Sequence, residues 1–444
     1  MKKGIIYTLL IAVMAATTAF IYINNTKKEE AVLPYKERTG VLASSNEYKL
    51  TRLKAKALFE QIKKTPAAIK PKLELASLYI QEARITGDHV YYDLAAMKLA
   101  NDVLKTDSNN FEANVFKGTI YLSQHHFAEA LPLCKRIQQL NPSNAFVYGM
   151  MIDANVELGN YDEAVANADK MISIRPDIRS YSRISYLREI YGDNAGAIEA
   201  MKLAVSAGYP GDEGTEWARV HLGQLYENTG DILNAQMHYT IALEERPDYA
   251  YGYAGLGRIS RAAKNYSEAI RYYQKADSLV VDYSFKDELT DLYLLNGEKE
   301  KSKASAKQVI EMLASKIVDG KEETEHGHYA DRELAYAYIK TNELDKAYNH
   351  AFTEYNRRPQ NIDVNETLAW VCYNKSDFEN AQKYITVALK TNSKNPTLLC
   401  RAGLIYAKSG DTAKAKELIR SALNKTSNIN ETLKAEAQKV IASV

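Results

Sequence analysis

An alanine returns along most of this chain at a nearly fixed interval. It stands at Ala96, Ala130, Ala164, Ala197, Ala235 and Ala269, gives way to Ser302, and resumes at Ala347, Ala381 and Ala415, in steps of 34, 34, 33, 38, 34, 33, 45, 34 and 34 residues. A period of this length is one small supersecondary unit that cannot bury its own apolar face and has to stack on its neighbours. It therefore replaces the count of two or three ordinary domains that 444 residues would suggest. The residues around the alanine say what the unit is. Gly159-Asn160, Gly192-Asp193, Gly230-Asp231 and Gly410-Asp411 each supply a helix-ending glycine followed by a helix-opening Asn or Asp. Pro142, Pro176, Pro247 and Pro359 stand twelve residues after their alanine, where a second helix has to stop. The phrase is helix, turn, helix, and the fold class it predicts is all-α.

The units resemble the tetratricopeptide repeat. One copy carries Leu222-Gly223, Tyr226, Ala235, Tyr239, Ala242 and Pro247, the next Leu256-Gly257, Ala269, Tyr273 and Ala276, and another Gly118, Tyr121, Ala130 and Pro142. The resemblance covers residues 69–444 and implies an α-solenoid of about ten helix hairpins wound into a right-handed superhelix. Its physical basis is that small Ala and Gly let paired helices approach, while Tyr and Leu fill the gap to the next pair. The family's leading Trp is mostly missing, and the unit around Ser302 departs furthest. Insertions are expected near 87–93, 205–215 and 314–327.

Ahead of the repeats, Lys2 and Lys3 precede twenty uncharged residues at 4–23, after which polarity returns abruptly. That is the length of a membrane-spanning helix and longer than the apolar region of a cleaved signal. The expected order is a signal anchor or signal peptide over 1–27, a polar tether over 28–46, and a capping helix over 47–68 with Leu50, Leu53, Ala57, Leu58 and Ile62 at helical spacing. The expected setting is the bacterial inner membrane with the solenoid in the periplasm, or the periplasm itself if the signal is cleaved.

Signals of chemistry are few. Lys plus Arg number 57 against 56 Asp plus Glu, so no one-signed field gathers nucleic acid. Cys134, Cys372 and Cys400 lack metal-ligand spacing and read as small core hydrophobes. Gly252, Gly255 and Gly257 suggest a dinucleotide loop, but Gly257 already holds the repeat's small-residue position. Glu323, Glu325, His326 and His328 lie in an insertion and read as a charged loop rather than a metal site. His125-His126 falls at a turn and reads as solvated. No cofactor, metal or catalytic group is expected, and the chain reads as a non-enzyme.

The resemblance also implies a concave wall built from the first helix of each unit. With the anchor alanine at position 20, positions 2, 5, 9, 12 and 13 face it. The candidate partner-binding residues are Tyr186, Glu189, Trp217, Gln224, Tyr251, Arg258, Arg261, Tyr329, Arg332, Tyr336, Trp370 and Tyr373. Trp, Tyr and Arg are the side chains that dominate interface energies. No unit carries the Lys and Asn pair with which some relatives grip acidic chaperone tails. The expected ligand is a peptide or helix of another protein, from an envelope complex, bound by a scaffold or adaptor. Tyr and Trp faces also stack on sugars, so a glycan or small molecule is the alternative.

Overall fold

All but one of the repeating alanines are sealed from solvent at zero exposure, and the exception, Ser302, is 8% exposed and donates its hydroxyl to the Thr290 carbonyl at 2.8 Å. A methyl group is all the room two packed helices leave at that point, and serine fits when its hydroxyl finds an acceptor. The computed structural model describes residues 32–314, 327–423 and 429–442, together with Met14 and Thr17. Among the described residues there is no strand, and ten helix hairpins follow one another with a further helix before and after them.

Helix α1 (Asn46–Lys64) comes first. The hairpins begin with α2 (Ile69–Thr86) and α3 (His89–Thr106), then α4 (Phe111–Ser123) and α5 (Phe127–Leu140), α6 (Ala145–Leu158) and α7 (Tyr161–Ile174), α8 (Ile178–Ile190) and α9 (Asn194–Ser206), and α10 (Glu213–Asn228) and α11 (Ile232–Glu245). The second five are α12 (Ala250–Ala262) and α13 (Tyr266–Asp277), α14 (Tyr283–Leu295) and α15 (Lys299–Ala314), α16 (Asp331–Lys340) and α17 (Leu344–Arg357), α18 (Ile362–Asn374) and α19 (Phe378–Ala388), and α20 (Pro396–Lys408) and α21 (Thr412–Leu423). Helix α22 (Glu431–Ala442) follows.

Nine of the ten hairpins turn on a left-handed residue five positions before the anchor. Gly159, Gly192, Gly230, Gly297 and Gly410 hold φ between 76° and 92°, while His125, Lys264, Asn342 and Ser376 hold it between 61° and 64°. The following residue opens the second helix: Asp193, Asp231, Asn265, Asp377 and Asp411 each accept the backbone N–H three residues on. Gly252, Gly255 and Gly257 all lie within α12, where a Cβ on Gly257 would stand 2.7 Å from the Tyr273 ring. They are packing residues, with no strand and loop to cradle a phosphate.

The array coils until it meets itself. Gly87, in the turn of the first hairpin, lies against Val281, whose N–H donates to the Thr86 carbonyl at 3.2 Å. In the second turn the Tyr329 N–H donates to the Gln124 carbonyl at 3.1 Å, and His126 Nε2 meets the Gly327 carbonyl at 2.5 Å. In the third, Gly159 abuts Gln360, the Asn361 amide donates to the Glu157 carbonyl at 3.0 Å, and Arg358 pairs with Glu157. In the fourth, Gly192 faces the Asn392 carbonyl. Each time the turn inside one hairpin meets the linker that closes the hairpin five units later. Arg246, one linker earlier, pairs with Glu47 of α1 at 3.4 Å. Between five and six hairpins thus complete a superhelical turn, and a seam joins successive turns.

Two expectations change. His125-His126 is not a solvated turn: His126 is 4% exposed and stacks on Tyr329 at 4.0 Å, because the seam covers it. The tether does not hang free from residue 32 onward. Tyr79 donates to the Leu33 carbonyl at 2.5 Å, Tyr92 to that of Lys36 at 3.1 Å, and buried Arg38 forks onto buried Glu82 at 2.5 and 2.8 Å. A buried charge pair of that geometry fixes the segment to the first hairpin. Residues 4–23 lie outside the described residues apart from Met14 and Thr17, as do Glu323, Glu325 and His326. Among the described residues, no helix is long and apolar enough to cross a membrane.

Candidate functional site

The first helices of the later hairpins face one cavity of about 900 Å³. Helix α8 contributes Tyr186 and Glu189, α12 Arg258 and Arg261, α14 Asp287, Glu288 and Asp291, α16 Arg332, Glu333, Tyr336 and Lys340, α18 Asp363, Glu366 and Trp370, and α20 Arg401. The seam is what brings α8 opposite α16 and α18, roughly 150 to 180 residues away along the chain.

Five cationic and nine anionic side chains line the cavity, and each cation already has a carboxylate, so the spare charge is negative. Arg258 Nε donates to buried Glu227 at 3.0 Å and Arg258 Nη2 to the Tyr239 hydroxyl at 2.9 Å. Arg261 donates to Glu288 at 2.6 Å, and Lys340 bridges Asp287 and Asp291 at 2.8 and 3.2 Å. Arg401 donates to Glu366 at 2.5 Å and to the Tyr336 hydroxyl at 2.9 Å, with its guanidinium 5.0 Å from both the Tyr336 and Trp370 rings. Burial opposes ionisation of Glu366, yet Arg401, Tyr336 and Arg332 together hold its pKa below the ordinary value. Glu189 and Asp291 go the other way. Burial raises both, reinforced by Asp363 at Glu189 and by Glu288 and Asp287 at Asp291. Tyr336 is pushed up to about 12 by burial and by Glu366.

Of the twelve candidates, Tyr186, Glu189, Arg258, Arg261, Arg332, Tyr336 and Trp370 meet in the cavity. Five do not. Trp217 lies against the tilted ring of His221 of its own helix at 3.9 Å and packs between hairpins, and Gln224 is half-buried away from the cavity. Tyr251 donates to Asp282 at 3.0 Å and packs on Phe285. Tyr329 belongs to the seam, under the Arg357 guanidinium at 3.9 Å. Tyr373 stacks on Trp370 at 4.9 Å but donates to Glu436 of α22 at 2.6 Å, which covers it. The three position-2 aromatics, Trp217, Tyr251 and Tyr329, all turn away because a ring near a helix start reaches the neighbouring unit and buries more area there.

Residues that the pattern missed complete the site. Glu288, Glu333 and Arg401 each stand fourteen residues before their anchor, one place beyond the position used for the wall. Helical geometry puts that place on the same face, four residues after position 2. Among the described residues, no three His, Cys, Asp or Glu side chains gather as a metal site, and the three cysteines are free and buried. The arrangement is a polar, aromatic-edged channel suited to binding.

The family described as tetratricopeptide repeat matches residues 221–279 and again 396–424. The chain carries tetratricopeptide repeats at those places. It is 28% identical over 147 residues to Superkiller protein 3 of Saccharomyces cerevisiae, covering 33% of this chain and 9% of the yeast protein. It is 26% identical over 160 residues to Small glutamine-rich tetratricopeptide repeat-containing protein 2 of the same yeast, covering 32% of this chain and 46% of that one. The chain thus spans less than half the length of either relative. A solved structure of human IFIT1, a dimer with PPP-AAAA, is similar at 14% identity and a TM-score of 0.49, covering 78% of this chain and 79% of that one. Tetratricopeptide repeats generally mediate protein–protein interaction and typically form non-catalytic scaffolds.

Proposed function

We propose that this chain is a non-enzymatic scaffold that binds a partner protein in the channel lined by α8, α12, α14, α16, α18 and α20, and that it does so at the bacterial cell envelope. The observation that carries the binding reading is the convergence of seven of the twelve candidate wall residues on one cavity, where aromatic rings and charges alternate. The envelope setting rests on the apolar run at 4–23 and its flanking lysines. The partner is a component of an envelope complex, contributing a short extended segment or a helix.

Tyr186 and Glu189 are the informative pair to change. Tyr186 is 42% exposed, and the hydrogen bond that Glu189 accepts from the Asn228 amide is long at 3.3 Å, so neither is central to the fold. Tagged full-length protein carrying Tyr186→Ala and Glu189→Ala should lose its partner in affinity purification from membranes, with the far-UV circular dichroism intact. Equal recovery from variant and parent refutes the channel as the binding site. A second reading, capture of a glycan or small molecule, draws on the size of the cavity. About 900 Å³ lies within the range of small-ligand sites. Glycan-array binding by the purified protein, without any protein partner, would favour it.

A further inference from the structure

Helix α22 does more than finish the stack. Its apolar side fastens to the last hairpin, where Ile429, Leu433 and Ala437 are buried with Leu399, Leu404 and Ile419. An end cap needs only that. Its polar side instead reaches across the channel. Glu431 accepts from Arg261 Nε and Nη2 at 3.1 and 3.0 Å, the Asn430 amide donates to Asp291 at 3.3 Å, and Glu436 accepts from the Tyr373 hydroxyl at 2.6 Å. Those partners stand on α12, α14 and α18, between 63 and 170 residues away along the chain. Glu431, Leu433 and Glu436 themselves line the cavity.

We propose that α22 is an intramolecular clasp on the channel, and that the partner is admitted by displacing it with an amphipathic helix that presents carboxylates to Arg261 and Tyr373 in the same way. The inference rests on the channel being the binding site. What the clasp leaves behind makes it releasable. Arg261 keeps Glu288 at 2.6 Å and Asp291 at 3.9 Å when Glu431 departs, so no buried charge is stranded. Arg258 without Glu227, or Arg401 without Glu366, would keep only a tyrosine hydroxyl and no second carboxylate among the described residues, so each of those pairs acts as a fixed strut. Release uncovers the Tyr373 ring stacked on Trp370, which itself lies 5.0 Å from the Arg401 guanidinium, an aromatic and basic patch of the kind that anchors interfaces. The chain's own helix therefore displays the chemistry the wall accepts: an apolar stripe at four-residue spacing with a carboxylate on each side.

The test uses the full chain and a fluorescent peptide of residues 429–442 as the probe. In the parent, the tethered helix competes at an effective concentration on the order of 1 mM, so the peptide binds weakly. Leu433→Asp with Ala437→Asp, which detaches the resident helix, should tighten peptide binding at least ~10-fold. Adding Arg261→Glu should abolish that gain, and a peptide carrying Glu431→Arg should restore it. Equal peptide binding by the parent and the detached variant overturns the clasp, as does indifference to Arg261→Glu. Should the detached variant fail to fold, Glu431→Ala with Glu436→Ala serves instead. Hydrogen exchange in α22 should then quicken several-fold while α18 and α20 stay protected, and unchanged exchange in α22 overturns the proposal. None of these readouts involves the partner, so failure of the channel reading, seen as partner recovery unaffected by Tyr186→Ala and Glu189→Ala, is scored separately.

Discussion

Replacing Gly159 and Gly410 by alanine, one at a time, separates what a turn contributes from what the seam contributes. Both glycines hold the left-handed conformation at the same point of their hairpins, with φ of 82° and 92°. An alanine there meets a backbone cost of about 1–2 kcal/mol, partly offset by about 0.4–1 kcal/mol from the reduced freedom of the unfolded chain. The net loss common to both variants is about 1 kcal/mol. They differ in what surrounds the new methyl group. At Gly410 nothing lies within 4 Å, whereas at Gly159 the methyl would overlap the Gln360 carbonyl and stand 2.8 Å from the Gln360 Cβ. Backbone cannot rotate aside, so the linker at 360 has to move, at an overpacking cost of about 1–3 kcal/mol. Its movement also strains the Asn361 bond to Glu157 and the 2.9 Å bond from the Ile362 N–H to the Tyr161 hydroxyl. Gly159→Ala should therefore lose roughly 2–4 kcal/mol and Gly410→Ala roughly 1 kcal/mol. Urea unfolding followed by far-UV circular dichroism measures the difference, and small-angle scattering should show expansion for Gly159→Ala alone. Two variants of equal stability and equal radius would refute the seam as a stabilising contact.

The turns that lack glycine offer the converse experiment. Lys264 and Ser376 are exposed and hold φ of 62° and 63°, so Lys264→Gly and Ser376→Gly should each raise stability by about 0.5–1 kcal/mol in the same urea assay. Acidity should act through the fifth hairpin. Burial lowers the pKa of both His221 and His238 to about 4, aided by Arg258 at the first and by Arg219 and Lys202 at the second. Because the unfolded chain takes up those protons first, near pH 6.5, stability is full above that value and falls as the pH drops toward 4. The loss should be on the order of 1–3 kcal/mol, and His221→Gln should flatten the profile measured as urea midpoint against pH.

The unit was legible because its signal is local. Ala235 is sealed by the two helices that flank it in sequence, and Gly230 and Asp231 shape the turn between them, so nothing distant is needed to read the hairpin. The seam was not legible, because Gly159 meets Gln360 only through the sum of many small rotations between neighbouring units. Half-legible wall residues follow from this. Tyr336 and Trp370 line the cavity, whereas Tyr329 is claimed by a contact from the previous superhelical turn. Arg401 and Glu333 fall outside the wall positions that the resemblance implies, although they stand on the same helical face. Helix α22 carries no copy of the repeat, so no periodic signal marked Glu431 or Glu436 as cavity residues.

An open coil of stacked units tolerates the gain or loss of one member, since only two interfaces notice. Here the fifth linker along must arrive opposite each early turn, at Val281, Tyr329, Gln360 and Asn392 in succession. Excising a single hairpin from the middle would bring the wrong linker to every one of those places at once. The molecule behaves less like a spring than like a wound cable whose strands are glued, and its evolution by duplication is confined to the ends.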